Sequence, residues 1–245
     1  MKTYIFFLTI SALFLVTLCQ VPSYIKICGR KDPQLNQCIK SSVESLRHKL
    51  RTGIPEFAVP PLEYLNIEEG LPLANSNEIK ASAKQVKLYG LPDFQINSIK
   101  MNIETKTIDL DIYFKNVQLE GDYDVTAKII VPVTGKGPIK IDAESVSAKV
   151  TIIYRLVNTK KGQRMHFTSM TCKLKIGSYH SKFVAREGPD ATFSEAINSV
   201  INNSQQEILE GIIPSLERSI SKKVLELSNK ITKNFTYEEL FPDRE

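Results

Sequence analysis

The chain has 245 residues, 42 % of them hydrophobic and 24 % charged, with four cysteines, no tryptophan and a formal net charge of +5. It is long enough to bury a core without depending on a disulfide framework and short enough for one domain. The modest positive charge implies solubility and no more, and no compact Lys/Arg cluster with interleaved aromatics offers a groove for bases or phosphates, so a nucleic-acid partner is not expected.

Residues 1–19 read as a signal peptide. Lys2 supplies the positive end, Ile5 to Leu18 the apolar run, and Thr17 with Cys19 the small residues before a cut near Gln20. The run is short for a bilayer and Pro22 follows it, which argues against a membrane anchor. Its removal leaves a single expected domain over 20–245, lowers the charge from +5 to +4 and takes Cys19 away. In the oxidising compartment this implies, Cys28 and Cys38 are expected to close a short loop. Cys172 lies in an apolar strand pattern and reads as a buried, inert thiol.

Asp32 and Pro33 predict a helix start, and Leu35, Cys38, Ile39, Ser42, Val43, Leu46 and Leu50 form one face until Gly53 ends the run. Pro55, Pro60, Pro61, Gly70 and Pro72 predict an ordered loop over Ile54 to Leu73 that covers one end of the core. From Val86 the period becomes two. Ile108, Leu110, Ile112 and Phe114 alternate with Asp109, Asp111 and Tyr113, and Tyr123, Val125, Ala127, Ile129 and Val131 repeat the pattern. Further strands are expected at Ile139 to Ala143, Ala148 to Leu156 and Met170 to Ile176, with turns at Gly135 to Pro138 and Asn158 to Gly162. No helix-length crossovers separate them, so the sheet is antiparallel.

Phe193 to Phe235 is the stretch around which the rest must fold. Ile197, Ile201, Ile208, Ile212, Leu216, Ile220, Val224, Leu227, Ile231 and Phe235 recur at helical spacing. Glu207, Glu210, Glu217, Arg218, Lys222, Lys223 and Glu226 rule out a membrane span, and the pair Ile212 and Ile213 widens the stripe beyond a coiled-coil seam. Pro214 and the capping-box pair Ser204 and Glu207 leave two forms open, one kinked helix or two collinear segments. The economical architecture is α+β, a strongly curved antiparallel sheet wrapped around this helix.

The search for chemistry returns little. His48, His166 and His180 stand in separate segments without metal-ligand spacing. Asp109 and Asp111 share a face as a catalytic pair would, yet that face is the solvent face. Gly135, Gly137 and Pro138 do not make a phosphate loop, and no serine sits in a nucleophile elbow. No catalytic residue, metal or cofactor is therefore assigned. The acceptor rule for glycosylation is met at Asn202 and Asn234, of which Asn234, near the helix end, is expected to be the more exposed.

Together the leader, Cys28 with Cys38, the segment 121–137 with Gly121, Tyr123, Pro132, Gly135 and Gly137, and the terminal helix resemble the insect takeout and haemolymph juvenile-hormone-binding family over essentially the whole mature chain. The resemblance implies a tubular lipid-binding (TULIP-like) fold and a secreted, extracellular, non-enzymatic carrier, with haemolymph among its compartments and hormonal, feeding or circadian regulation among its roles. The chain departs from the family in having Asn202, Asn203, Ser204 and Gln205 where an Asn-Glu-Asn-Trp segment is common, and Cys172 has no evident mate. These departures favour the takeout-like branch over a dedicated hormone carrier.

The expected partner is an elongated apolar molecule such as juvenile hormone, another terpenoid or a fatty acid, held noncovalently and without stable membrane insertion. Leu110, Ile112, Val125, Ala127, Ile129, Val150, Ile152 and Met170 would face Ile208, Ile212, Leu216 and Ile220 across a tunnel, and Tyr123 and Tyr154 would orient a polar end. The competing readings are that these side chains fill a packed core, that the protein transfers lipid at a membrane, or that it is a signalling or interaction protein with a cell-surface receptor.

Overall fold

The computed structural model describes residues 21–67, 70–75, 79–128, 132–184 and 205–245. Among these, eight strands form one antiparallel sheet: β1 (Tyr64–Ile67), β2 (Leu71–Asn75), β3 (Ile79–Tyr89), β4 (Gln95–Asn102), β5 (Thr107–Lys128), β6 (Pro132–Thr159), β7 (Gly162–Lys175) and β8 (Ser178–Phe183). The helices are α1 (Leu35–Ser45), α2 (Arg47–Thr52), the long α3 (Gln205–Thr232) and the one-turn α4 (Tyr237–Leu240).

The sheet is built on β5 and β6, 22 and 28 residues long. They pair from Thr107↔Ile153 at one end to Lys128↔Pro132 at the other. Each is flanked by two shorter strands laid end to end: β4 and β3 along β5, β7 and β8 along β6. β1 and β2 both add to the outer side of β3. The sheet stays open, and α3 packs on both β7 and β2, so the helix closes the sheet into a tube.

Curvature has a visible local cause. Inward residues run Ile108, Leu110, Ile112 and Phe114 in β5 but resume at Val117 and Leu119, and the partner strand switches between Ala143 and Val146. At that row the consecutive residues Lys115 and Asn116 face Glu144 and Ser145, all four exposed, and Ser145 takes φ +55°. The inward alternation thus slips by one residue in both strands at once, with their pairing register unchanged. Register shifts at Pro72/Ala74, Lys84/Lys87, Ile96/Ser98 and Ile153/Tyr154 mark irregularities in the flanking pairs of the kind that bend a strand and raise its local twist.

Several expectations are corrected. Gly135 to Pro138 is no turn but lies inside β6, paired with Asp122 to Val125, and the expected strands 139–143 and 148–156 are one strand. Gly137 is needed because a Cβ there would stand 1.9 Å from the Val184 carbonyl oxygen. The turn at Asn158 to Gly162 is present, with Gly162 at φ +128°. The helix predicted from Asp32 is two helices. Asp32 Oδ1 accepts the Gln34 amide instead of capping, α1 starts at Leu35, and α2 ends at Gly53 with φ +86°. The loop Ile54 to Leu73 contains β1 and the start of β2, and buries Ile54, Phe57, Val59, Leu65, Ile67 and Leu71. Pro214 stands inside one continuous α3. The predicted stripe members Ile197 and Ile201 lie outside the described residues, as do the leader and Asn202. Phe235 lies beyond the helix yet is 2 % exposed, set edge-on against Phe57 at 5.3 Å.

The segment from Cys28 to Lys31 and the C-terminal segment clasp each other. The Cys28 amide donates to the Leu240 carbonyl, Arg30 N–H to Pro242 and Lys31 N–H to Arg244. Arg30 adds a bond to the Phe241 carbonyl and a 2.8 Å ion pair with Glu238. The Cys28–Cys38 disulfide ties this clasp to α1.

Candidate functional site

The inner face of the sheet and the apolar stripe of α3 do not meet in a filled core. They enclose a cavity of about 910 Å³. It runs from Leu73, Val125, Phe183 and Leu209 at one end to Ile108, Met165, Thr232 and Phe241 at the other. Leu209 and Thr232 are 23 residues apart on one helix, which at 1.5 Å per residue makes the space about 35 Å long. Its volume over that length gives a mean cross-section of about 26 Å². The space is a tunnel, long and narrow.

Most of the predicted residues come together here. Leu110, Ile112, Tyr123, Val125, Val150, Ile152 and Met170 line the sheet side, and Ile212, Leu216 and Ile220 line the helical side. Ala127 lies in β5, paired with Ile79 and Val133, and Ile208 in α3; Ile129 is outside the described residues. Tyr154 is corrected. It is 2 % exposed and lies behind the wall, its ring 6.5 Å from that of Tyr237, in an apolar cluster with Cys28, Ile99 and Met165. Burial, with Tyr237 alongside, holds its hydroxyl protonated far above the ordinary phenol range. Tyr123 is on the wall but 2 % exposed, its ring edge-on to Phe183 at 5.0 Å.

Two seams hold the helical wall to the free edge of β7. Asn229 acts as a surrogate strand residue: its Oδ1 accepts the Phe167 amide and its Nδ2 donates to the Phe167 carbonyl, both at 2.9 Å. Glu217 accepts the Leu174 amide at 2.9 Å and pairs with Lys173 at 3.2 Å. These contacts satisfy backbone groups that a sheet edge otherwise leaves open. Beneath them Cys172 lines the tunnel, unpaired with any other cysteine. Burial, then the nearby Glu217 carboxylate, pushes its thiol up to about 11, which makes it a poor nucleophile.

Asp109 accepts the Thr151 hydroxyl at 2.6 Å and Asp111 the Asn97 amide at 3.0 Å, ordinary cross-strand bonds on the outer face. His48 and His180 are exposed and His166 half-buried on separate elements. Among the described residues no group of three or more His, Cys, Asp or Glu side chains is placed to hold a metal, and no helix is long and apolar enough to cross a membrane. Asn234 is half-buried, and Asn202, with which its exposure is compared, lies outside the described residues. The Asn234 Nδ2 donates to the Lys230 and Ile231 carbonyls and so caps α3.

Pattern reading misses two tunnel residues near the clasp, Lys26 and Ser42. Lys26 sits in an irregular segment with no period, and periodicity places Ser42 on a helix face without giving it a polar role. The Lys26 amide donates to Ser42 Oγ at 3.1 Å.

The solved structure of Takeout 1 from Epiphyas postvittana superposes with a TM-score of 0.74 at 18 % identity, covering 89 % of this chain and 99 % of that one, and has the same fold. Weaker superpositions are found with lipopolysaccharide binding protein (TM-score 0.37, 13 % identity, 79 % of this chain and 36 % of that one) and latherin (0.26, 15 %, 81 % and 74 %). Nothing among curated protein sequences matches the chain. The family described as haemolymph juvenile hormone binding protein matches residues 5–242, and on that near-complete match the chain belongs to this family.

Proposed function

We propose that this protein is a secreted, non-enzymatic carrier that keeps one elongated apolar molecule out of water. The observation that carries the reading is the tunnel itself. At about 910 Å³ it stands at the upper end of ligand-pocket volumes, and it is walled almost wholly by aliphatic and aromatic side chains. A packed core would leave only scattered voids near the size of a water molecule. Burying about 400 Å² of ligand surface would contribute roughly 10 kcal/mol before the cost of ordering ligand and protein. With few directed polar contacts, length and width are selected more strongly than chemical detail. Juvenile hormone, named in the family's description, other terpenoids and fatty acids fall in this class. Secretion is supported by the leader pattern and by the Cys28–Cys38 bridge, which suits an oxidising compartment.

The test is native mass spectrometry of protein isolated from its source, followed by extraction and rebinding of juvenile hormones, fatty acids and unrelated terpenoids. A bound apolar molecule is expected. Ala148, buried on the wall of the tunnel, offers the blocking variant. Ala148→Trp should cut binding at least about tenfold while circular dichroism stays native; a rise in unfolding would show overpacking instead. Failure of the wild-type protein to bind any of these classes would sink the carrier reading.

A further inference from the structure

The tunnel has one charged wall residue among the described residues, Lys26. Its side chain is exposed and has no carboxylate partner among the described residues. Beside it, Ser42 is 9 % exposed and also lines the tunnel. Ser42 Oγ accepts the Lys26 amide at 3.1 Å, and no acceptor for its own hydroxyl hydrogen is found among the described residues. A buried hydroxyl with an unused donor and the residue that carries the wall's one charge among the described residues thus adjoin through the Lys26 amide, on a wall that is mostly apolar. On the helical wall the Thr232 hydroxyl is already committed, donating to the Ser228 carbonyl at 3.1 Å.

We propose that Lys26 and Ser42 form a headgroup subsite for the carboxylate of a long-chain acid, whose tail runs down the tunnel. This rests on the carrier reading. An ionised carboxylate among Leu110, Val150, Leu216 and their like would lose its hydration with no charge to replace it. At Lys26 it keeps one side in water and gains a charge-assisted bond from the ammonium and a second from Ser42. Polarity therefore sets the direction of entry: head at the α1 end, tail toward Val125 and Leu209. Outside the tunnel Lys26 also borders a shallow surface hollow with Asp32 and Glu245, and neither lies within ion-pair distance of it. Lys26 thus borders the tunnel on one side and the exposed hollow on the other.

Delipidated full-length protein, Lys26→Gln, Lys26→Arg and Ser42→Ala should be titrated near pH 8 with palmitic acid and with methyl palmitate, two probes that share a tail and differ in the head. The wild-type protein should bind the acid about fivefold to tenfold more tightly than the ester. Lys26→Gln should erase that preference, Lys26→Arg should keep most of it, and Ser42→Ala should reduce it about threefold. Circular dichroism identifies any variant that fails to fold, and Lys26, being exposed, supplies one that should not. Equal binding of acid and ester by the wild-type protein, or an acid preference that survives in Lys26→Gln, would overturn the subsite and leave the carrier reading standing. Binding of neither probe would overturn the subsite, and the carrier reading would then stand or fall on the juvenile-hormone and terpenoid titrations.

Discussion

The two walls of the tunnel are held by different forces. The sheet wall is a backbone structure, with β5 paired to β6 from end to end and both outer sides covered by further strands. The helical wall satisfies its own backbone internally and meets the sheet through side chains: Ile212 and Leu216 inward, and Asn229 and Glu217 on the edge of β7. A sheet ladder spreads its stability over many equivalent bonds, whereas a seam concentrates it in a few residues. The tube should therefore be robust to changes on the sheet's outer face and sensitive at the helix.

The largest effect expected from breaking that contrast comes from Leu216→Asp. Leu216 is 8 % exposed on the tunnel side of α3, so a carboxylate there is buried without a partner. Unfolding free energy in a denaturant titration should fall by about 3 kcal/mol or more. A loss under about 1 kcal/mol would mean that the sheet stands without its helical wall. Next is the clasp. Replacing Cys28 and Cys38 together by alanine removes a bridge between residues 10 apart, which should cost about 2–3 kcal/mol by the loop-closure argument. If denaturant curves of the reduced and oxidised proteins coincide, the clasp does not depend on its bridge.

A finer comparison sets Asn229→Ala against Asp111→Ala. Asn229 gives two bonds to the Phe167 backbone, and its loss should cost about 1–2 kcal/mol, since an exposed edge allows water to replace part of them. Asp111 holds one bond to Asn97 on the outer face and should stay within about 0.5 kcal/mol of the parent. Equal losses would erase the distinction between seam and surface. For Asn234 the same reasoning concerns modification. Its Nδ2 caps α3 with two bonds, so a glycan there replaces one donor hydrogen, and deglycosylated secreted protein should drop in mass only if the sugar is added before that cap forms.

What can be read from the sequence follows periodicity. Ile212, Leu216 and Leu227 recur at the helical period and are buried; Leu110, Ile112 and Val150 alternate and face the tunnel. Local punctuation misleads at Gly135 to Pro138. Glycine and proline ordinarily mark turns, but here the long partner β5 carries the pairing through, and Pro138 stands just before Ile139, where the β8 ladder begins. Alternation places Tyr154 on the inner face, yet the C-terminal Tyr237 covers it, a contact between residues 83 positions apart that no local pattern reports. The clasp is hidden for the same reason, being irregular backbone joined to irregular backbone. Alternation also does not distinguish a tunnel from a core, because an inward face looks the same whether or not the space beyond it is filled.

A pH dependence is expected on the tunnel wall. Cys172 is 4 % exposed, and burial followed by the Glu217 carboxylate raises its thiol from 9.0 to about 11, against a smaller lowering by Lys173. A thiol is neutral when protonated, so the folded state holds this proton more tightly than the unfolded chain. The stabilisation is fully present below pH 9.0 and is lost as pH rises toward about 11. Relative to Cys172→Ala, the wild-type protein should lose about 1 kcal/mol of stability between pH 8 and pH 10, because each tenfold difference in proton affinity is worth about 1.4 kcal/mol. Taking the difference between the two proteins cancels the titration of lysines and tyrosines that they share. The same burial should keep Cys172 unalkylated by iodoacetamide at pH 8 until the protein unfolds. Rapid labelling of the folded protein, or parallel stability curves for the two proteins from pH 8 to pH 11, would place this thiol in water and leave the seam at Glu217 open.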